Sequence, residues 1–210
     1  MTGSPLRIVL ASASPRRAEL LRSLGVEFEV LPSRAVEADA GHLSPAEVAM
    51  TNACRKALQV AEARRDALVV GADTVIALDG PLYGKPANLR HAARMLRALS
   101  GRTHDVVTGV CLCRRSAGDL ELFAETTRVT MRRLLPRTIA DYLRRVDVLD
   151  KAGAYAIQEH GDRIVRRISG SFSNVVGLPV ERLRAALAAR GIRSKAPVKA
   201  ASAPARGPLS

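Results

Sequence analysis

The chain has 210 residues, 47% hydrophobic and 25% charged, with three Phe, three Tyr and no Trp, which predicts one medium-sized domain cored by Ala, Leu, Val and Ile. Its formal net charge of +13 rests overwhelmingly on Arg, with Lys only at positions 56, 85, 151, 195 and 199; this predicts an anionic partner, and the lack of stacking aromatics or a reading helix disfavours nucleic acid and leaves a phosphorylated small molecule. No run approaches about 18 apolar residues, no apolar leader follows a basic start, and Cys54, Cys111 and Cys113 give neither an even disulfide framework nor zinc spacing, so a cytoplasmic protein with no membrane partner is expected.

In chain order, Arg7 to Ala11 reads as a strand, and Pro15 opens an amphipathic helix that Gly25 ends. Phe28 to Leu31 reads as a second strand, followed by a polar loop with Glu37 and Asp39. Ser44-Pro45-Ala46-Glu47 has capping-box spacing and predicts a helix through Lys56 toward Arg65. Ala67 to Leu78 is apolar except for Gly71-Ala72-Asp73-Thr74 at its centre, and Asp79-Gly80 suits a type I′ turn. A helix from about Asn88 to Leu99 stops at Gly101, and the runs His104 to Cys113 and Leu120 to Met131 pair as a hairpin. A helix near Thr138 to Arg145, the loop Asp150 to Gly153, strand-like segments around Ala156 and Ile164, and a helix from Pro179 to Gly191 complete the folded part. The irregular order of strands and helices predicts an α/β fold with a mixed sheet flanked by helices over residues 1–192. Residues 193–210 carry four cations, no acid and almost no large apolar side chain, and read as a disordered basic tail.

The chemistry-bearing residues sit between these elements. Ser12-Ala13-Ser14-Pro15-Arg16-Arg17 joins a strand to a helix N-terminus, where free N–H groups, hydroxyls and guanidinium forks suit phosphate; the bland alternative is a Ser cap with two solvated arginines. Asp73 interrupts a strand that is otherwise apolar, and a buried carboxylate needs a partner or a metal. Glu37 can join it in holding Mg²⁺. Lys56, Lys85 and Lys151 each read alone as solvated charges, and their case for phosphate binding rests on their company. His104, with no nucleophile in register, is assigned a structural role. Neither the dinucleotide fingerprint nor the P-loop is present.

Several ordered blocks together resemble the Maf family of nucleotide pyrophosphatases: Ala11 to Leu21, Gly71-Ala72-Asp73-Thr74-Val75, Gly84-Lys85-Pro86, Leu99 to His104, Asp150-Lys151-Ala152-Gly153-Ala154-Tyr155, and Gly170 to Pro179. The resemblance spans about residues 6 to 192 and implies a Maf/ITPase-like fold with a nucleotide-binding cleft. It also implies hydrolysis of a nucleoside triphosphate, dependent on Mg²⁺ or Mn²⁺, to the monophosphate and pyrophosphate. By that resemblance Asp73 is the proton acceptor; that it shares a metal with Glu37 is the expectation from the two acids themselves. Arg16, Thr74 and Gln158 match the positions that choose the base, and Arg17, Glu37, Lys56 and Lys85 match polar cleft residues; from their own chemistry Ser12, Ser14, Arg17, Lys56 and Lys85 are expected to bind phosphate.

Ala-Asp-Thr followed by Ala-Tyr-x-Ile-Gln is similar to the dTTP/UTP subgroup, with modified pyrimidine nucleotides as further substrates. The subgroup acting on 7-methyl-GTP has Gln after the Asp. Two departures stand out: Val36 precedes Glu37 where relatives carry a second acid, and Glu159 replaces a Gly, altering the turn or placing a negative charge near the base pocket. The alternatives are a pyrophosphatase for 7-methyl-GTP or another modified nucleotide, and a non-enzymatic nucleic-acid-binding or septum-associated regulator. The resemblance leaves a homodimer open.

Overall fold

A computed structural model describes residues 6–37 and 42–193. The expected basic tail from 194 onward and Asp39 of the polar loop lie outside the described residues. The described strands are β1 (Ile8–Leu10), β2 (Phe28–Val30), β3 (Leu68–Ala77), β4 (Leu82–Tyr83), β5 (Thr103–Arg114), β6 (Asp119–Met131) and β7 (Val165–Ser169). They form a mixed sheet in the order β2-β1-β3-β5-β6-β7, with β4 paired to the far end of β3. β2, β1 and β3 run parallel, whereas β3, β5, β6 and β7 pair antiparallel. This is the mixed α/β architecture expected from the irregular element order.

Helices cover both faces, so the central strands are apolar on both sides. On one face α1 (Pro15–Arg22) and α7 (Val180–Ala188) pack over Ile8, Leu10, Leu68, Val70 and Leu112. Farther along that face α3 (Leu89–Leu99) and α4 (Pro136–Arg145) pack over Ile76, Val106 and Val129. On the opposite face α2 (Pro45–Ala63) lies over Val9, Val69 and Cys111. Its start is the expected capping box: Ser44 Oγ accepts from the Glu47 N–H at 3.3 Å, and Glu47 Oε2 accepts from the Ser44 N–H at 2.8 Å.

Two glycines set how near α2 comes to the sheet. A Cβ on Gly71 would stand 2.3 Å from the Ala53 carbonyl oxygen, and one on Gly109 would stand 2.3 Å from the Ala49 carbonyl carbon. Gly109 is the β5 residue directly opposite Asp73. The helix backbone thus rests on the sheet beside Asp73 at a distance that no larger residue permits.

The turn at Asp79-Gly80 has positive φ at both positions, 49° and 108°, as a type I′ hairpin requires. The expected strand around Ala156 does not form. Ala156 is buried against the α3/α4 cluster in irregular chain, and Ile164 ends the short helix α5 (Gly161–Ile164), so the strand begins only at Val165. Burial without an alternating exposed face explains the misleading apolar pattern. The helix α6 (Phe172–Val176) was not expected either; a single turn capped by Ser171 is too short to show a helical period.

Gly109→Ala is expected to lower stability by about 1–3 kcal/mol, the usual cost of forcing a methyl group into a packed interface. Thermal unfolding of the variant beside the wild type checks this.

Candidate active site

Parallel pairing of β1 stops early on β3. Leu10 faces Val70 and the Ala11 N–H reaches the Val70 carbonyl, while β4 takes up pairing only at Ile76. Between these points Asp73 and Thr74 lie on a strand edge with no strand beside it among the described residues. A cleft of about 770 Å³ opens there, at the carboxyl end of β1. Such an end, where parallel pairing breaks, is where open α/β sheets bind ligands. Side chains from both sheet faces reach it: Asp73 from the α2 face and Thr74 from the other. The residues expected to bind phosphate, metal or base, or to take the proton, all line this cleft: Ser12, Ser14, Arg16, Arg17, Glu37, Lys56, Asp73, Thr74, Lys85 and Gln158.

The acid cluster is built on α2. Asn52 and Lys56, four residues apart, present both side chains to β3 from one helix face. Lys56 Nζ donates to Asp73 Oδ1 at 2.6 Å and to Glu37 Oε1 at 2.8 Å, while Asn52 Nδ2 donates to Asp73 Oδ2 at 3.2 Å. Asp73 is 6% exposed, so these donors offset what would otherwise be a prohibitive burial of charge. The hydrogen bond from Lys56 holds the Glu37 carboxyl below the usual carboxylate range, with further downward pulls from the charges of Lys85 and Arg17. Both carboxyl groups are thus gathered around Lys56 Nζ.

On the opposite face the Arg17 guanidinium ties three segments together. Its Nε donates to the Gly177 carbonyl at 2.9 Å, one Nη to Ser12 Oγ at 3.3 Å, and the other to Thr74 Oγ1 at 3.1 Å. Burial lowers its pKa from the usual arginine value, against the pull of the Asp73 charge. Thr74 Oγ1 also lies 3.0 Å from Thr108 Oγ1, which in turn donates to the Asn174 carbonyl at 3.2 Å. Ser12 is buried and accepts from the Ser14 N–H at 3.2 Å, and Ser14 caps α1. The loop from β1 to α1 is thus both a helix cap and a set of polar groups on the cleft wall.

A third group closes the cleft. Arg16 Nη1 stands 3.2 Å from Asp150 Oδ2, and Lys151 Nζ stands 2.8 Å from Asp150 Oδ1. The reading of Lys151 as a solvated loop charge is corrected: its side chain is 7% exposed, and its ammonium also donates to the Asp147 carbonyl. Tertiary packing of the 150–154 loop, tied by the Gly153 N–H to the Gly84 carbonyl, buries it. Gln158 and Lys85 are exposed on the rim. Glu159 turns its carboxylate toward Lys151, at 3.5 Å, and is not among the cleft-lining residues.

His104 lies off the cleft lining. Its Nε2 is 2.8 Å from the Tyr155 hydroxyl, and burial pushes its pKa down to about 4, so it stays neutral and structural near neutral pH. Sequence reasoning missed Asn52, Asp150 and the fixed position of Lys151. The signal for Asn52 was its spacing four residues before Lys56, and Asp150-Lys151 lay inside a block already singled out.

A mixed α/β sheet with a cation-rich cleft at a strand end, enclosing a clasped carboxylate, defines a protein built to hold an anionic ligand beside a buried acid. The sequence pattern of the Maf family, described as Maf-like protein, matches residues 7–190, and the chain belongs to that family. It is 46% identical over 186 residues to a protein of Moorella thermoacetica named dTTP/UTP pyrophosphatase, covering 89% of this chain and 96% of that protein. A protein of the same name from Akkermansia muciniphila is 42% identical over 187 residues, covering 89% and 98%. Another from Koribacter versatilis is 45% identical over 176 residues, covering 84% and 90%. A solved structure of a HAM1 protein from Coxiella burnetii aligns with 61% of this chain and 74% of its own at 19% identity and a TM-score of 0.44.

Proposed function

We propose that the chain is a nucleoside triphosphate pyrophosphatase that hydrolyses dTTP and UTP to the monophosphate and pyrophosphate. The observation that carries this reading is the Asp73 carboxylate, buried and clasped by Lys56 and Asn52 at the edge of a cleft lined by cations. The names of relatives that align along nearly their whole length support the choice of substrate. Action in the cytoplasm is part of this proposal; no helix among the described residues is long and apolar enough to cross a membrane.

Hydrolysis of a phosphoanhydride needs the polyphosphate charge neutralised and a water held in line with the phosphorus under attack, which are tasks of positioning and electrostatics. Asp73 accepts the proton of that water. Lys56 has three N–H donors, of which two hold Asp73 and Glu37, and the third faces phosphate. Lys85, Ser12 and Ser14 add contacts to the phosphates. Arg17 contributes charge while bracing the wall through Gly177 and Thr74.

A divalent cation fits the donor chemistry. No group of three or more His, Cys, Asp or Glu that could hold a metal ion exists among the described residues, but Mg²⁺ typically takes one or two carboxylates and fills its other positions with phosphate oxygens and water. Asp73 and Glu37, already brought to one ammonium, would hold Mg²⁺ or Mn²⁺, which when bound supplies further neutralisation of phosphate charge. Arg16, Thr74 and Gln158 face the base; the Gln158 amide offers both a donor and an acceptor to the imide edge shared by thymine and uracil.

Asp73→Asn keeps the shape and removes the charge, so turnover of dTTP with saturating Mg²⁺ is expected to fall at least about a hundredfold, the usual scale for losing a general base, with the fold intact by circular dichroism. A folded variant near wild-type activity contradicts the role of Asp73. Gln158→Ala is expected to weaken kcat/KM for dTTP and UTP more than for dCTP and dGTP, because a polar site discriminates by the cost of its own unpaired groups. Equal losses on all four triphosphates would remove Gln158 from base recognition.

A further inference from the structure

One wall of the cleft carries a row of alternating charges to which the proposed chemistry gives no role beyond Arg16. Arg16 faces Asp150 at 3.2 Å, Asp150 faces Lys151 at 2.8 Å, and Lys151 faces Glu159 at 3.5 Å. Glu159 is the chain neighbour of Gln158. The row therefore starts at one residue proposed to read the base and ends beside another.

Burial differs sharply along it. The Lys151 side chain is 7% exposed, Arg16 22%, Glu159 45% and Asp150 52%. A buried ammonium must be surrounded by acceptors, and Lys151 finds three: the Asp147 carbonyl and the carboxylates of Asp150 and Glu159. Its backbone is equally constrained. Gly153, two residues on, has φ of 68°, and a Cβ there would stand 2.4 Å from Ile76 Cδ1. The same glycine's N–H bonds to the Gly84 carbonyl beside Lys85. Lys151 is the fixed point of the row.

The chain before Gln158 is held where the Ala156 backbone exchanges hydrogen bonds with the Tyr142 hydroxyl and where Ile157 is buried, but the turn from Gln158 onward lies beyond these contacts. Gln158, Glu159 and His160 are exposed, and His160 sits in the left-handed region at φ of 54°. Among the described residues the Gln158 amide has no hydrogen-bond partner, and the side-chain tie of this turn to the cleft wall is the pair between Glu159 and Lys151.

We infer that Asp150, Lys151 and Glu159 are positioning residues for base recognition: from one buried ammonium, Lys151 sets the Arg16 guanidinium through Asp150 and the turn carrying Gln158 through Glu159. The spacing between the two readers is thereby fixed to the imide edge of thymine or uracil, whose donor and acceptor order cytosine does not share. The inference rests on the proposed roles of Arg16 and Gln158. It reverses what a negative charge near the base pocket suggests: Glu159 does not crowd the base but turns away to hold the reader in place.

The test is Glu159→Gln, which keeps the side-chain length and removes the charge from an exposed position, so the fold is retained. Initial rates are measured for wild type and variant with dTTP, UTP and dCTP over a range of concentrations. The ratio of kcat/KM for dTTP over dCTP is expected to fall at least about threefold, the scale of a partly exposed ion pair, and the change is expected mainly in KM. A double-mutant cycle between Arg16→Lys and Gln158→Ala is expected to show coupling in the wild-type background and additivity when Glu159 is Gln. A merely structural Glu159 would lower all three substrates alike and leave that coupling untouched. If wild type prefers dTTP and UTP and the variant keeps both preference and coupling, the positioning role is overturned while the functional reading stands. If wild type itself shows no such preference, the proposed base recognition fails first.

Discussion

Asp73 must be buried and within reach of α2 at once, and the rest of the site depends on meeting both demands together. Burying a lone carboxylate costs more than a domain of this size can spare. Lys56 and Asn52 offset the cost only because the backbone of α2 lies almost on the sheet at Gly71 and Gly109. Any side chain at either position lifts the helix and withdraws both donors. The glycines therefore act on chemistry through distance, although neither touches a ligand.

The second constraint is topological. Because β1 ends at Leu10 while β3 runs on to Ala77, a stretch of β3 has an open edge, and residues of both faces meet at it. The acid cluster comes from the α2 side. The network of Arg17, Thr74, Thr108 and Asn174 comes from the other side and braces the loop between β1 and α1 against α6. Cations thus surround one clasped acid from separate elements. Under the proposed function, this gives the overall basic charge a local purpose, the neutralisation of a polyphosphate.

Much of this was legible in the sequence for identifiable reasons. An acid in the middle of an apolar strand is conspicuous, the capping box at Ser44 fixes the start of α2, and Asp79-Gly80 fixes the turn after β3. The cleft residues proposed from the blocks all line one cavity. What escaped depends on tertiary context. Ala156 lies in an apolar run that packs as irregular chain against the α3/α4 cluster, and periodicity cannot separate that from a buried strand. Lys151 is a loop lysine, a type usually solvated, and only the folding of its loop against Gly84 and Ile76 buries it. Asn52 sits at helical spacing from Lys56, but an asparagine acquires meaning only when Asp73 is seen opposite.

Which bond is broken, and where water enters, bears most directly on the role proposed for Asp73. Hydrolysis of dTTP in ¹⁸O-enriched water with Mg²⁺, followed by ³¹P NMR, reports both in one experiment. The account predicts dTMP and pyrophosphate in equal amounts, with the label on the dTMP phosphorus. Formation of dTDP and orthophosphate, or label in pyrophosphate, would contradict it.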